Sequence, residues 1–447
     1  MKKARRKMGI DRLIAIAFLG LILFGSALLC LPIASKGAPA PYITSLFTAT
    51  SAVCVTGLTV RDTFIQWSGF GQAVLLCLIE VGGLGFMSIA SGLVLLFRGR
   101  FGMREQMLMA QSIGVRDNRR VIDLQKWVIG LSLAIEAAGA IALTLRFLPS
   151  FGFWQSLKLG VFHAVSAYCN AGFDVFGFLQ PGGSLMPFGR DPAVLLILSF
   201  LIVSGTLGFL VLEELFRVRR WKKLSVYTRL VLITTASLLL LGTALIAVFE
   251  WRNPATLGPM GAGEKLLAAF FQSVTLRTAG FAALDQGALT DAGKGLSLFL
   301  MFVGGSSGST AGGMKTVTLV VLLLFLWSRL RGRSTVVVFH RTIPFSAVLN
   351  ALTIFGVLII LSFAGAVFVS FESGAGFVEA LYETVSAIAT VGLSCGLTPR
   401  LGLPSKLLII LYMYFGRVGV LTLSLGFLRE SQADVRVRYA DAHMLIG

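Results

Sequence analysis

The chain has 447 residues, of which 56% are hydrophobic and only 13% are charged. Soluble globular domains carry about 25% charged residues, so this composition excludes two or three ordinary soluble domains and indicates a polytopic membrane protein. A net charge of +18 would suit nucleic-acid binding only if the basic residues covered one face of a soluble fold. They lie instead in short clusters between long apolar stretches, which excludes that function too.

The basic residues indicate the orientation in the membrane. Five clusters hold 26 of the 39 Lys and Arg residues, at positions 1–12, 98–126, 217–229, 329–341 and 429–438. Loops on the cytoplasmic side are enriched in Lys and Arg, so all five clusters are expected on that side. Successive clusters must then be joined by an excursion across the membrane and back. The sequence therefore predicts eight spans in the inner (plasma) membrane, with both termini cytoplasmic.

The first excursion shows the unit from which the chain is built. Residues 13–31 are nineteen uncharged residues, about the length that crosses a bilayer ~30 Å thick. A shorter, half-apolar stretch follows at 41–55, and residues 70–97 form a second full span. A cleaved signal peptide is the alternative for the first stretch, but that stretch is too long for a signal core and no A-x-A site follows it.

The same unit recurs, and its short segments share a signature. They read FTATSAVCVTG (47–57), FHAVSAYCNAG (162–172), FFQSVTLRTAG (270–280) and YETVSAIATVG (382–392). In each segment an aromatic residue stands ten positions before a glycine, and these glycines recur at intervals of 108 to 115 residues. The pattern divides the chain into four repeats, at 1–115, 116–220, 221–335 and 336–447, of which the last includes the C-terminal tail.

About a dozen residues cannot cross a bilayer, so each short segment is expected to enter from outside and return. Irregular backbone at membrane depth must line a water-filled cavity or be buried in protein. The predicted fold is an all-α polytopic membrane protein with four span–pore-helix–span repeats in a pseudo-fourfold arrangement around one pore. Backbone carbonyls at each glycine can then replace the hydration shell of potassium. The alternative, that the glycines only permit tight turns or helix packing, does not explain their shared spacing.

A glycine-rich run interrupts the third repeat. The apolar stretch 296–327 contains GGSSGSTAGG at positions 304–313, in which five of the ten residues are glycine. Each glycine costs about 1 kcal/mol relative to alanine in a helix, so this run, called here the glycine loop, is expected to break the helix. A broken helix at mid-membrane is expected to line the transport pathway. A plain helical hinge is the alternative.

With its four loops and the segment 304–316, the chain resembles the Trk/Ktr/HKT superfamily of potassium transporters over essentially its whole length. It is more similar to KtrB, the membrane subunit of Ktr systems, than to the longer TrkH subunits, because it starts directly with the first repeat. The resemblance implies a potassium-binding filter made of three residues from each repeat, namely Val55, Thr56 and Gly57; Asn170, Ala171 and Gly172; Thr278, Ala279 and Gly280; and Thr390, Val391 and Gly392. Plant-type members with serine at the first filter glycine are associated with sodium transport, so glycine at all four positions favours potassium.

The resemblance also implies a gate beneath the filter, formed by Gly304, Gly305, Gly308, Ser309, Thr310, Gly312, Gly313, Lys315 and Arg417. An arginine inside a span is costly and usually functional, and Arg417 could donate to carbonyls of the glycine loop while opposing cations. Snorkelling to an interface is the alternative for Arg417 and equally for Lys315. Arg277, three residues before a filter glycine, is expected to point behind the filter as a structural brace.

Acidic residues follow the filter glycine in three repeats. Asp62, Asp174 and Asp285 are expected to concentrate cations at the outer mouth of the pore, and ordinary solvated loop aspartates are the alternative. The fourth repeat has no such acid. Glu80 and Glu136 lie within spans, where burial against a polar partner is the default expectation.

The predicted function is potassium uptake through a channel-like pore, and the resemblance adds the assembly. It implies a homodimer with one pore per protomer and a cytosolic nucleotide-binding ring partner of the RCK type (KtrA-like). ATP and ADP would bind that partner, because this chain has no phosphate-binding loop between a strand and a helix, and no cofactor is expected on the chain itself. Members similar to KtrB often depend on sodium, but the residues locate no sodium site.

Other chemistry finds little support in the sequence. His163, His340 and His443 make no metal-ligand spacing, and the five cysteines form no CxxC pair, so potassium at the filter is the only metal expected. An intramembrane enzyme would need a nucleophile and base, which are missing from the predicted spans. The remaining alternative is an ion-coupled secondary transporter for potassium or sodium, which predicts inverted repeats and buried carboxylates on the route.

Overall fold

The computed structural model describes residues 10–85, 121–218 and 220–419. Within them the α-helices are α1 Ile10–Leu29, α2 Tyr42–Val53, α3 Thr63–Gln66, α4 Gly69–Leu84, α5 Val121–Phe151, α6 Phe153–Tyr168, α7 Pro192–Leu207, α8 Phe209–Arg217, α9 Val226–Glu250, α10 Ala262–Thr275, α11 Asp291–Phe302, α12 Thr316–Leu330, α13 Phe345–Ser373, α14 Phe377–Ile388 and α15 Leu403–Tyr414. Short 3-10 turns lie at Pro32–Ala34, Met186–Phe188, Trp221–Lys223 and Thr398–Arg400. The part of the first repeat predicted to span up to residue 97, the basic clusters at 98–120 and 429–438 and the C-terminal tail lie outside the described residues.

Several helices are apolar enough to cross a membrane. By length and composition three of the described helices qualify, at Lys126–Phe151, Val226–Glu250 and Phe345–Ser373. The pair α7 and α8 is a fourth candidate, bent by 97° at Gly208, which has φ +88°. Shorter apolar helices lie at Ile14–Leu29, Gly69–Leu84 and Thr316–Leu330. The predicted membrane character of the chain is therefore present in its helices.

Side-chain caps fix where several of these helices begin. The Asp191 carboxylate accepts hydrogen bonds from two first-turn amides of α7, at 3.0 and 3.2 Å, and Pro192 occupies the first helical position. Ser225 and Thr290 cap α9 and α11 in the same way. Such caps satisfy amide groups that have no partner within the helix.

The core surrounds the short helices. Phe47, Tyr168, Phe271 and Tyr382, one on each of α2, α6, α10 and α14, are fully buried. Large apolar side chains are exposed on the long helices instead, among them Phe371 at 89%. Water would penalise such an apolar exterior, whereas lipid tails do not.

The helices pack in a repeating order. Each of the four short helices packs on the long helix before it: α2 on α1, α6 on α5, α10 on α9 and α14 on α13. The helix that follows a short helix also packs on the next short helix: α4 on α6, α7 on α10 and α11 on α14. The order closes on itself, because α15 packs on α2.

One element departs from the predicted all-α fold. The strands β1 Val336–Val338 and β2 Arg341–Ile343 form a two-stranded antiparallel hairpin. Its two-residue turn, Phe339 and His340, has positive φ at both positions, +45° and +60°, which matches the twist of paired strands. The run of three β-branched valines favours a strand, and hydropathy patterning over whole spans does not detect so short an element.

Candidate functional site

The short helices α2, α6, α10 and α14 end in irregular segments of the same backbone shape. Two residues before each motif glycine, a residue with a side chain adopts the left-handed conformation, with φ between +52° and +67°: Val55, Asn170, Thr278 and Thr390. The glycines themselves have φ between +66° and +94°. The left-handed region costs a residue with a Cβ about 1–2 kcal/mol. Surrounding structure must hold this strain in place, as it commonly does at functional sites.

Backbone amides of these segments donate back to the helices that precede them. The middle residue donates over 2.7–2.8 Å to the carbonyl five residues earlier in three repeats: Thr56 to Ser51, Ala171 to Ser166 and Val391 to Ser386. The third repeat differs, because Gly280 donates to Thr275 over 3.4 Å. In the first and fourth repeats the glycine amide also donates to the serine hydroxyl, at 3.0 Å. Because the N–H and C=O of a peptide point in opposite directions, amides turned toward the helix leave the neighbouring carbonyls turned away.

The carbonyl oxygens left by this arrangement have no hydrogen-bond donor in the part of the chain that the structure describes. No hydrogen bond from a described residue ends on a carbonyl of 55–57, 170–172, 278–280 or 390–392, called here the filter segments. Their non-glycine residues are at most 1% exposed. Four of them also bury a side-chain oxygen without a hydrogen-bond partner: Thr56, Asn170, Thr278 and Thr390. An unpaired buried polar group costs about 1–3 kcal/mol, so this many together indicate a site for water or a bound cation.

The four motif glycines lie against one another's segments in a closed cycle. A Cβ placed on Gly57 would come within 2.5 Å of the carbonyl oxygen of Ala171. A Cβ on Gly172 would lie 2.8 Å from the Ala279 oxygen, and a Cβ on Gly280 would lie 2.5 Å from the Val391 oxygen. Gly392 completes the cycle by lying against the Thr56 oxygen. Any side chain at these positions would collide with a neighbouring carbonyl, which explains why glycine is needed in all four repeats.

The glycine loop lies against the filter segments. It joins α11 to α12, so the helix is interrupted where the glycine run predicts. A Cβ on Gly304 would lie 3.3 Å from the Thr278 methyl group, and one on Gly312 would collide with the Thr390 side chain. Thr310 Oγ1 donates to the Tyr168 carbonyl at 3.1 Å, at the end of α6. The loop therefore contacts repeats 2, 3 and 4 next to their filter segments.

Hydrogen bonds hold the loop to the break between α7 and α8. Phe209 N–H donates to the Gly308 carbonyl at 2.9 Å, and Thr310 N–H donates to the Gly205 carbonyl at 3.3 Å. The Tyr227 hydroxyl donates to the Ser307 carbonyl at 2.9 Å. Further bonds close the loop on itself and on its flanks: Ser309 Oγ to the Ser306 carbonyl, Gly304 N–H to the Met314 carbonyl and Thr316 N–H to the Gly305 carbonyl. Gly313 takes φ +65° at the loop's exit.

Three basic residues serve the same loop. Arg417, in the π-helical turn Phe415–Gly419, is 6% exposed and donates to the Thr310 carbonyl and, at 2.5 Å, to the Gly82 carbonyl. Arg417 therefore does not snorkel to an interface. Lys315 Nζ donates to the Ala311 carbonyl at 2.6 Å. Arg277 is 2% exposed and donates to the Gly304 carbonyl at 3.3 Å, so it braces the glycine loop.

The three outer aspartates do not form one group. Asp62 caps α3 through the Ile65 amide at 3.0 Å and accepts from the Gly182 amide of the second repeat at 2.9 Å. Asp174 lies close enough to Asp62 for their charges to interact, and removal from water together with that charge raises the pKa of Asp174 to about 6. Asp285 is exposed and accepts from the Gly287 amide at 2.9 Å, in a loop that packs against Cys395 of the fourth repeat.

Sequence reasoning missed several residues that hold this site. Gly205, Gly208 and Tyr227 position the glycine loop, but they lie outside the ten-residue signature. A break in the second repeat is nevertheless readable from the Ser204–Gly208 stretch, which places two glycines and two hydroxyl residues inside an apolar helix. Glu383 is another residue that the sequence analysis missed. It is fully buried and accepts a hydrogen bond from Thr398 Oγ1 at 2.6 Å. This bond holds the outer loop of the fourth repeat, which has no aspartate after its filter glycine.

Comparison with known proteins gives consistent matches. The family described as "TrkH: Cation transport protein" matches residues 4–438. The chain is 39% identical to the Ktr system potassium uptake protein B of Bacillus subtilis, over 98% of this chain and 96% of that protein. It is 38% identical to the potassium/sodium uptake protein NtpJ of Enterococcus hirae, over 100% of this chain and 99% of that protein.

The fold also has a solved counterpart. The crystal structure of the potassium transporter TrkH from Vibrio parahaemolyticus superposes with a TM-score of 0.73, at 18% identity, covering 96% of this chain and 88% of that one. The family match extends over nearly the whole sequence, and two relatives of full length share more than a third of its residues. The chain therefore belongs to the TrkH family of cation transport proteins, and it is a membrane transporter, not an enzyme.

Proposed function

We propose that this chain takes up potassium through a channel-like selective pore, formed where the four filter segments meet. The observation that carries the proposal is the closed cycle of glycine contacts, in which each motif glycine lies against a middle-residue carbonyl of another repeat. The twelve filter residues would then surround one axis in a pseudo-fourfold arrangement. The cyclic packing of the helices, closed by α15 on α2, supports the same arrangement.

The chemistry of the filter segments suits a dehydrated alkali cation. A ring of carbonyl dipoles can replace the water shell of potassium, and the carbonyls here are buried and accept no hydrogen bond from the described residues. The four segments differ in sequence except at glycine, so fewer well-formed ion sites are expected than in a filter of four identical loops. No carboxylate belongs to the filter segments, which fits weak binding and rapid passage.

The glycine loop is proposed as the gate. It lies against Thr278 and Thr390, so an ion leaving the filter would meet it. Arg417, which donates to the Thr310 carbonyl, would add a positive charge that opposes cations in the closed state. The centre of the loop, Ser307 to Ser309, is partly exposed, and segments whose hydrogen bonds are exposed can open locally at modest cost.

The relatives' names suggest the physiological setting. The Bacillus subtilis relative is named as a potassium uptake protein of a Ktr system, and the word system supports a role for other subunits. The proposed location is the plasma membrane, with both termini cytoplasmic. The proposed partner is a cytosolic RCK-type ring that binds ATP and ADP, and the proposed assembly is a homodimer with one pore per protomer. The name potassium/sodium uptake protein of the Enterococcus hirae relative is consistent with a role for sodium.

Rubidium-86 influx into proteoliposomes holding the purified chain tests the proposed function. A potassium pore should carry rubidium down an imposed electrical gradient. The rate of ion influx should saturate as the external potassium concentration rises, and it should not require a gradient of protons or sodium. Influx that stops when the proton and sodium gradients are collapsed would instead establish the alternative, an ion-coupled secondary transporter. Empty liposomes and liposomes holding a Gly392→Leu variant, whose side chain would enter the glycine cycle, are the controls.

The outer acids predict a pH effect on apparent affinity. Because the pKa of Asp174 is raised to about 6, its carboxylate is charged at pH 7.5 and mostly protonated at pH 5. Acidification should remove negative charge from the outer mouth and raise the half-saturating rubidium concentration about two- to fourfold, as expected for one partly screened charge. Asp174→Asn should show the raised value at both pH values, whereas Asp285→Asn, whose carboxylate is exposed, should keep the pH response. A full response in Asp174→Asn would contradict the assignment.

A further inference from the structure

A buried cluster of three metal-ligating groups lies behind the second filter segment. Cys169 ends the short helix α6 and is fully buried, and Glu136 of α5 is 5% exposed. Glu80 of α4 completes the cluster, and one ligand atom from each of the three residues lies within 4.8 Å of the others. Neither the filter segments nor the glycine loop includes these residues, so the proposed function leaves them without a role.

The two carboxylates have no basic partner among the described residues. The ion pair that the described residues do form joins Arg146 to Asp191 and involves neither glutamate. Among the described residues, the almost wholly buried Glu136 carboxylate lies against the Cys169 thiol and the Glu80 carboxylate and near the Tyr168 hydroxyl, none of which is a cation. Glu80 Oε1 is buried and has no hydrogen-bond partner among the described residues. Two acids placed side by side in a poorly polar region are costly unless a cation or a shared proton compensates them.

The distances suit a small transition-metal ion. Cys169 Sγ lies 3.5 Å from Glu80 Oε2 and 3.9 Å from Glu136 Oε1. In a tetrahedral zinc site with Zn–S of about 2.3 Å and Zn–O of about 2.0 Å, sulfur and oxygen ligands stand about 3.5 Å apart. The unpartnered Glu80 Oε1 or a water molecule could supply the fourth ligand. Glu80 is only half-buried, which leaves one side by which an ion can enter.

We propose that Glu80, Glu136 and Cys169 form a binding site for a divalent transition-metal ion of the zinc type. A thiolate beside two carboxylates selects zinc and similar ions over potassium, magnesium and calcium, which prefer oxygen ligands. Binding displaces the thiol proton and any proton shared by the two acids, and both leave to solvent. Cys169 directly precedes Asn170, so the bound ion would tie the second filter segment to α4 and α5.

The first repeat offers a matched control. Cys54 occupies the equivalent position, three residues before its glycine, and is also fully buried. The Arg417 charge acts on both cysteines, but among the described residues only Cys169 also has carboxylates beside it. The site should therefore depend on Cys169 and not on Cys54, although both residues end a short helix next to a filter segment.

Cobalt and zinc titration of the purified full chain tests this site. In a background with Cys30, Cys77 and Cys395 changed to alanine, Co²⁺ should give a thiolate-to-cobalt charge-transfer band that saturates at one ion per chain, and Zn²⁺ should abolish it. Cys54→Ala should keep the band, Cys169→Ala should lose it, and Glu136→Gln should weaken binding at least tenfold. Zn²⁺ should also raise the melting temperature of the parent and of Cys54→Ala, but not of Cys169→Ala.

Two results would overturn the site. One is the absence of the band in the parent, which would mean that the acids are neutralised by a shared proton. The other is an equal band in Cys169→Ala. A protein that retains rubidium influx without binding cobalt would exclude the metal site and leave the proposed function intact.

Discussion

Replacing Gly57 with serine is expected to raise sodium influx relative to rubidium influx about tenfold. The position has φ +94°, and a Cβ there would lie 2.5 Å from the Ala171 carbonyl oxygen. Relief of that collision displaces the Ala171 carbonyl, and each ~1.4 kcal/mol of lost discrimination between the two ions corresponds to a factor of ten. The ring of filter carbonyls should widen to relieve the backbone strain and the collision with Ala171. A wider ring discriminates less between ions of different size. Parallel ²²Na and ⁸⁶Rb influx into proteoliposomes measures the ratio.

Gly374→Ser provides the control for backbone strain alone. Gly374 also has positive φ, +69°, but a Cβ placed there would meet nothing within 4 Å. The residue ends α13, away from the filter segments. It should keep the wild-type ratio at normal protein yield. An unchanged ratio in Gly57→Ser, with influx retained, would show that Gly57 does not belong to the filter.

Shortening the glycine loop is the second change with a large expected effect. Deletion of 307–309 removes the Gly308 carbonyl that accepts from Phe209 and the Ser307 carbonyl that accepts from Tyr227. With fewer bonds holding the loop against the filter segments, rubidium influx should rise at least tenfold, about the effect of losing two hydrogen bonds of ~1 kcal/mol each. Initial ⁸⁶Rb influx per reconstituted protein is the measurement.

A single substitution tests the same hydrogen bonding in case the deletion variant does not fold. Tyr227→Phe removes one hydroxyl donor to the loop and should raise influx about two- to tenfold, the range for one hydrogen bond. Tyr412→Phe removes a comparable bond, 2.7 Å to the Leu361 carbonyl, away from the loop, and should leave influx unchanged. If neither the deletion nor Tyr227→Phe alters influx, the loop is a structural hinge and not the gate.

Much of this fold can be predicted from the sequence, because one physical requirement applies to every segment that crosses a membrane. Every backbone group in lipid must be satisfied internally, so apolar length predicts the helices, and the shared ten-residue spacing predicts the short helices that end before Gly57, Gly172, Gly280 and Gly392. The glycine run at 304–313 likewise predicts the interruption between α11 and α12. These signals are local, and they depend on composition within a few turns of helix.

Contacts between distant residues were not predictable in the same way. Nothing in the sequence places Glu80 beside Cys169 or Arg277 beside Gly304, because each pair depends on how whole helices pack. Arg417 shows the intermediate case: the sequence predicts that it donates to carbonyls of the glycine loop, but the particular acceptors, Thr310 and Gly82, are fixed only by the fold. The hairpin Val336–Ile343 was missed because three-residue strands carry little periodic signal.

Anomalous diffraction from crystals of the full chain grown with rubidium would show directly whether the four filter segments bind a dehydrated cation. We expect rubidium density on one axis inside the cycle of Gly57, Gly172, Gly280 and Gly392, contacting main-chain carbonyl oxygens from all four filter segments. A structure in which these glycines lie apart, or in which rubidium binds side-chain carboxylates elsewhere and none occupies the cycle, would contradict it.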